Sequence, residues 1–150
     1  MPRDTVEQTG RPNTGIGAGA DPRYQAGFST WFHQIVTKVA DYTILESDFG
    51  KTFVNAGATA AVVLTLPAVT NLPDGWWVRA FGMVLAQDLT VQSNGSNDNL
   101  VTVNDIAADS VKLGTANERA GGGWEFVWDD TNSKWLVFTL AGETQTVTIA

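Results

Sequence analysis

Across residues 41–67 (DYTILESDFGKTFVNAGATAAVVLTLP) polar and apolar positions alternate with a period of two, the spacing of a strand with one face in a core. Three short strands are expected there, over residues 42–45, 51–55 and 61–66, separated by the turns Ser47-Asp48-Phe49-Gly50 and Ala56-Gly57-Ala58. Phe53 and Val54 fall on opposite faces of the second, Val62, Leu64 and Leu66 share a face of the third, and Pro67 ends it because it has no N–H for a ladder. After a Pro-Asp-Gly turn signal at residues 73–75 comes a strand over 76–83, with Trp76, Val78 and Ala80 on one face and Trp77, Arg79, Phe81 and Met83 on the other. Apolar residues on both faces predict that both are covered. Short strands follow at 89–93, 100–103 and 110–113, then a hairpin with strands over 124–128 and 134–140. In that hairpin Trp124, Phe126 and Trp128 share one face, and Trp135 and Val137 stand opposite Leu136, Phe138 and Leu140. Residues 142–150 form a threonine-rich tail with the pattern of a last edge strand. Roughly nine or ten short strands spaced about 8–12 residues apart predict an all-β fold, a jelly-roll-like β-sandwich.

Helical spacing occurs once, at residues 29–40 (STWFHQIVTKVA). Trp31, Phe32, Ile35, Val36 and Val39 fall on one face and Ser29 is placed to cap the start. The β-branched Ile35, Val36, Thr37 and Val39 pull the other way, toward extended structure. A short helix or tether is expected here, joining the sandwich (41–150) to residues 1–28. That first stretch is rich in proline and glycine and has no periodic apolar pattern, so alone it buries too little to offset the cost of ordering it. It reads either as a frayed terminus or as an extended arm that folds onto a partner.

Composition narrows the functions. The net charge is −7, and because the arm's arginines and carboxylates cancel, residues 29–150 carry all of it, six basic against thirteen acidic. Nucleic acid is therefore not expected as a partner. The absence of cysteine removes disulfides, thiol nucleophiles and cysteine zinc sites together. No apolar run approaches a membrane span and no signal peptide opens the chain, so a soluble product made in a cytoplasm is expected.

Few residues suggest chemistry. Gly15-Ile16-Gly17-Ala18-Gly19 lacks the flanking strand and helix of a dinucleotide fingerprint and reads as linker. His33, the single histidine, has no cysteine partners for zinc and no nucleophile elbow to serve. Asn97-Asp98-Asn99 with Asp105, or Asp129-Asp130, offer oxygens for calcium but not the spacing of a calcium loop, and asparagine and aspartate are what turns prefer. The six tryptophans fit core and subunit contacts better than a sugar-stacking platform, since they lie in strand patterns. No enzymatic activity, cofactor or metal is expected.

Tyr42-Thr43 followed by Asp48, Gly50-Lys51-Thr52, Val54-Asn55 and the closing Leu64-Thr65-Leu66-Pro67 resembles a β-module of structural proteins from tailed bacteriophages. The resemblance extends over residues 41–140 and implies a virion component. Two readings follow from it. In one, the chain is a capsid decoration (cement) protein on the outer surface of the head, a homotrimer that binds the major capsid protein. Its arm would strap capsid subunits together, with Arg3, Arg11, Pro12, Arg23, Tyr24, Phe28, Trp31 and Phe32 as anchors, arginine and aromatics being the types that dominate interface energies. Trp76, Trp77 and Phe81 are then the candidates for subunit contacts. In the alternative, the chain is a trimeric tail-fibre, head-fibre or tailspike component binding host glycans. A carbohydrate-binding module of non-viral origin is a third possibility. The arm favours the first.

Overall fold

The computed structural model describes residues 34–95, 99–103, 105–113 and 120–140. The chain divides into two units between Gln34 and Ile35, and apart from Gln34 the described residues all belong to the second. The strands are β1 (Ile35–Thr37), β2 (Tyr42–Thr43), β3 (Thr52–Val54), β4 (Val62–Thr65), β5 (Trp77–Phe81), β6 (Leu89–Gln92), β7 (Leu100–Val101), β8 (Ser110–Leu113), β9 (Gly123–Asp129) and β10 (Lys134–Leu140). Two single-turn 3-10 helices, Glu46–Asp48 and Val69–Asn71, lie between strands. The fold is an all-β sandwich of a six-stranded sheet, ordered β1-β3-β5-β9-β10-β7, and a four-stranded sheet, ordered β2-β4-β6-β8.

From β1 to β6 the chain changes sheet at every step, so each sheet gains its strands in parallel. A parallel pair needs a crossover, and here the crossover is the intervening strand of the facing sheet. β8 and β9 then add antiparallel to β6 and β5, and β10 returns antiparallel along β9. The two-sheet sandwich is the expected one, whereas its connectivity is a winding closed by a hairpin, not the antiparallel Greek keys of a jelly roll. The physical reason lies in the connections. None of the first six strands is joined to the next by a tight hairpin turn within its own sheet, so each pairs with the strand two places along the chain.

The expected helix over 29–40 is corrected in its described part. Residues 35–37 form β1, parallel to β3 with Val36 opposite Phe53, and the Lys38 N–H extends the ladder to the Val54 carbonyl at 2.8 Å. Ile35 is exposed while Val36 packs on the core, a period of two. The β-branched run decides the conformation once a strand edge is available to pair with. Residues 29–33 lie outside the described residues.

The inner faces meet over an aromatic core. Phe53, Val78, Trp124, Phe126, Trp135 and Leu100 from the larger sheet pack against Val62, Leu64, Leu89, Val91 and Val111 from the smaller. Trp135 is its hub, with ring centroids 5.8 Å from Trp76 and 5.3 Å from Trp128. Gly123 marks the tightest approach, because a Cβ there would run into the Ala80 carbonyl oxygen across the β5–β9 ladder. β1 and β10 point the same way, since two reversals separate β10 from the parallel set. Ile35 therefore stands in register with Phe138, two residues from the row that ends at Leu140.

Two substitutions test this packing by chemical denaturation. Trp135→Ala should cost about 3–5 kcal/mol, the range for emptying a buried aromatic site. Gly123→Ala should cost about 1–3 kcal/mol through overpacking against rigid backbone, despite adding only a methyl group. A Gly123→Ala chain as stable as the parent would contradict the β5–β9 register.

Candidate interaction surface

The pleat that sends Val78, Ala80, Phe126 and Trp135 inward sends their neighbours outward, and the register sets these side by side. One row across the larger sheet reads Trp77, Val127, Leu136, Val101. The next reads Ile35, Thr52, Arg79, Glu125, Phe138, and the third Thr37, Val54, Phe81, Gly123, Leu140. Ile35 and Phe138 are 69% and 52% exposed, and Trp77, Phe81, Val127, Leu136 and Leu140 are half-buried. The outer face of the smaller sheet is its opposite in character. Its rows are Val63, Thr90, Lys112 and Thr43, Thr65, Gln92, Ser110, polar and threonine-rich apart from Val63. An exposed apolar sheet face is the kind of surface that serves as an interaction site in other proteins.

Charge on the apolar face is neutralised in place. Arg79 Nε and Glu125 Oε2 lie 2.6 Å apart, and the Arg79 guanidinium also sits 5.1 Å from the Trp77 ring centroid. Partly exposed as it is, such a pair contributes about 0–1 kcal/mol to folding. Its larger effect is to leave the face without net charge at its centre. Phe49 packs edge-on against Trp77 at 5.8 Å and carries the apolar surface round the end of the sheet.

Phe49 is held there by the turn that precedes it. Asp48 is buried, and its carboxylate accepts hydrogen bonds from the Leu45 N–H (2.9 Å), the Tyr42 hydroxyl (3.0 Å) and Lys51 Nζ (2.7 Å). Burial alone pushes this carboxyl upward, but the Lys51, Leu45 and Tyr42 bonds outweigh it and hold it below the ordinary carboxylate range. Burial, and then the bond to Asp48, push the Tyr42 phenol up. Lys38 Nζ caps the Tyr42 ring at 3.2 Å, tying β1 and β2 to the same cluster. At the other end Asn55, fully buried, accepts from the Met83 and Val84 N–H groups at 2.7 and 3.3 Å and latches two loops together.

Of the residues singled out for subunit contacts, Trp77 and Phe81 lie on this face and Trp76 does not. Trp76 points inward, 3% exposed, with its indole N–H donating to the Glu46 carbonyl at 3.0 Å. It belongs to the core because it shares a face with Val78 and Ala80. Ile35, Val127, Leu136 and Phe138 were missed as members of the surface. The alternation around Trp135 held a signal for Leu136 and Phe138, but joining them to Trp77 takes the register. The arm candidates Arg3, Arg11, Pro12, Arg23, Tyr24, Phe28, Trp31 and Phe32 lie outside the described residues.

Trp124, Trp128 and Trp135 are buried like Trp76, so among the described tryptophans only Trp77 presents ring surface. Asp129 and Asp130 are engaged in their own turn. Asp129 accepts from Asn132 at 2.7 and 3.0 Å, while Asp130 accepts from the Trp128 indole at 3.3 Å. The Asn132 side-chain bond, then its backbone bond, hold the Asp129 carboxyl below its ordinary range. Among the described residues no cluster of three or more histidine, aspartate or glutamate side chains is placed to hold a metal. No known family model matches the chain, and no curated protein is significantly similar to it.

The Asp48 cluster has a pH signature. A carboxyl held below its unfolded value of about 3.9 stabilises the fold fully above that pH, and the contribution is lost as pH falls through the folded value. Asp48→Asn should therefore cost about 1.5–3 kcal/mol at pH 7, the range for hydrogen bonds to a charged group. In urea titrations the deficit relative to the parent should shrink below about pH 4. A deficit independent of pH would show that the charge on Asp48 does not matter.

Proposed function

We propose that this protein is a non-enzymatic capsid decoration protein of a tailed bacteriophage. It binds the outer surface of the head, its N-terminal arm straps neighbouring copies of the major capsid protein, and it acts as a homotrimer. The observation that carries this reading is the asymmetry of the sandwich, one broad apolar face on the six-stranded sheet and one threonine-rich face on the other. Such a molecule is suited to lie with one side against protein and the other in water. Trp77, Phe81 and Phe138 supply the subunit contacts. Asp48 with Lys51 and Arg79 with Glu125 are paired with each other, which suits an adhesive role better than a catalytic one.

Expanded heads lacking the protein provide the assay. Deletion of residues 1–28 should leave a folded β-domain that no longer binds them, whereas undiminished binding would overturn the strap. Phe138→Arg should lower the solution mass measured by light scattering, and a strictly monomeric parent chain would overturn the trimer. Adsorption of the purified protein to host cells or glycans, abolished by Trp77→Ala, would favour the fibre or tailspike reading instead.

A further inference from the structure

Glycine follows asparagine once in the chain, at Asn94-Gly95, and the pair forms the turn that leaves β6. Just before it Ser93 is buried, its N–H donating to the Asp109 carbonyl at 2.9 Å. Gly95 is exposed and adopts φ 83°. A φ of that size costs glycine little and strains any residue with a Cβ, so the turn itself calls for glycine. The same missing Cβ leaves the Gly95 backbone nitrogen open to approach from the Asn94 side chain. Its N–H donates to no described residue.

A second exposed turn, Asp74-Gly75, has the same backbone form, with Gly75 at φ 79°. There the Gly75 N–H donates to the Trp128 carbonyl at 2.8 Å, and the Asp74 carboxylate accepts from the Asp130 N–H at 3.0 Å. Both groups that could react are held. The other described asparagines are set apart as well. Asn55 and Asn99 are buried, Asn71 precedes the bulky and buried Leu72, and Asn132 Nδ2 donates to Asp129 at 2.7 Å.

We infer that Asn94 is a site of spontaneous backbone modification, deamidation through a cyclic imide. Loss of the Gly95 amide proton to hydroxide leaves a nitrogen nucleophile that attacks Asn94 Cγ. The new N–C bond closes a succinimide ring, and the side-chain nitrogen takes up a proton and leaves as ammonia. Water then opens the ring at either carbonyl, giving aspartate or isoaspartate at position 94. The net change exchanges an amide for a carboxylate, with water as the co-reactant and no change of oxidation state. Each event adds a negative charge to a chain whose net charge is already −7. On the isoaspartate route the main chain also gains a methylene, in an exposed turn outside the ladders, where an insertion is tolerated. The inference does not depend on a role in a virion.

Timed incubation of the full-length protein in mildly alkaline buffer, followed by peptide mapping and enzymatic methylation of isoaspartate, tests it. Conversion at Asn94 should be at least about tenfold faster than at Asn71 or Asn132, because only there does glycine follow. It should accelerate with pH, since the attacking nitrogen must lose its proton. Gly95→Ala should slow it by a similar factor. Should that chain fail to fold, Asn94→Gln carries the test by abolishing the acidic species that accumulates in the parent. In urea, isoaspartate should also form at Asp74 once its hydrogen bonds are gone, whereas in the folded protein it should not. Conversion at Asn94 no faster than at the other asparagines of the folded chain would overturn the inference. So would isoaspartate forming at Asp74 as fast as at Asn94 in the folded protein.

Discussion

Strands that follow one another in the chain but lie in opposite sheets are not paired by a backbone ladder, so what packs between the sheets does most to hold them together. Through β6 this protein is built almost entirely of such pairs. The aromatic layer is therefore the condition for the winding to exist. Burying one large apolar side chain contributes about 1.5–3 kcal/mol, against about 1 kcal/mol net for a typical hydrogen bond, and core side chains are shared by both sheets. Trp135 is the clearest case, fully buried on β10 while its ring meets Trp76 and Trp128.

The same constraint shapes the surface. Once the pleat commits one set of residues to the core, the alternate set is released from packing and reports what lies outside. On the four-stranded sheet that set is threonine, glutamine, serine and lysine with the single apolar Val63, as water would select. On the six-stranded sheet it is mainly tryptophan, phenylalanine, leucine, isoleucine and valine around one internal ion pair, with Thr37, Thr52 and Gly123 among them. Covering Ile35 or Phe138 would each contribute about 1.5–3 kcal/mol if burial were complete, so a handful of such contacts suffices for a lasting complex after association costs. The Asp48 cluster serves this surface indirectly, holding the turn that sets Phe49 against Trp77.

Much of this was legible in the sequence. The period of two located the strands at 42–43, 52–54, 62–65, 77–81 and through the last hairpin, and separated Trp76, Val78 and Ala80 from Trp77, Arg79 and Phe81. What could not be read was pairing. A run such as Thr52-Phe53-Val54 specifies two faces but not its neighbours, and here these are β1 and β5, parallel and distant in sequence. Ile35-Val36-Thr37 carried both a helical spacing and a β-branched composition, and the choice fell to a tertiary contact, the β3 edge. The apolar face escaped recognition for the same reason, since Ile35, Trp77, Val127 and Phe138 lie far apart along the chain and meet only through the register.

In the proposed role, neighbouring protein on a phage head covers the outer face of the six-stranded sheet. An image of the intact virion, resolved well enough to distinguish the two sheets, tests it most directly. The account predicts copies on the capsid exterior with Trp77, Phe81 and Phe138 against neighbouring protein and the Thr43, Thr65 and Thr90 face toward solvent. Copies found on the tail, or on the head with the six-stranded face open to solvent, would contradict it.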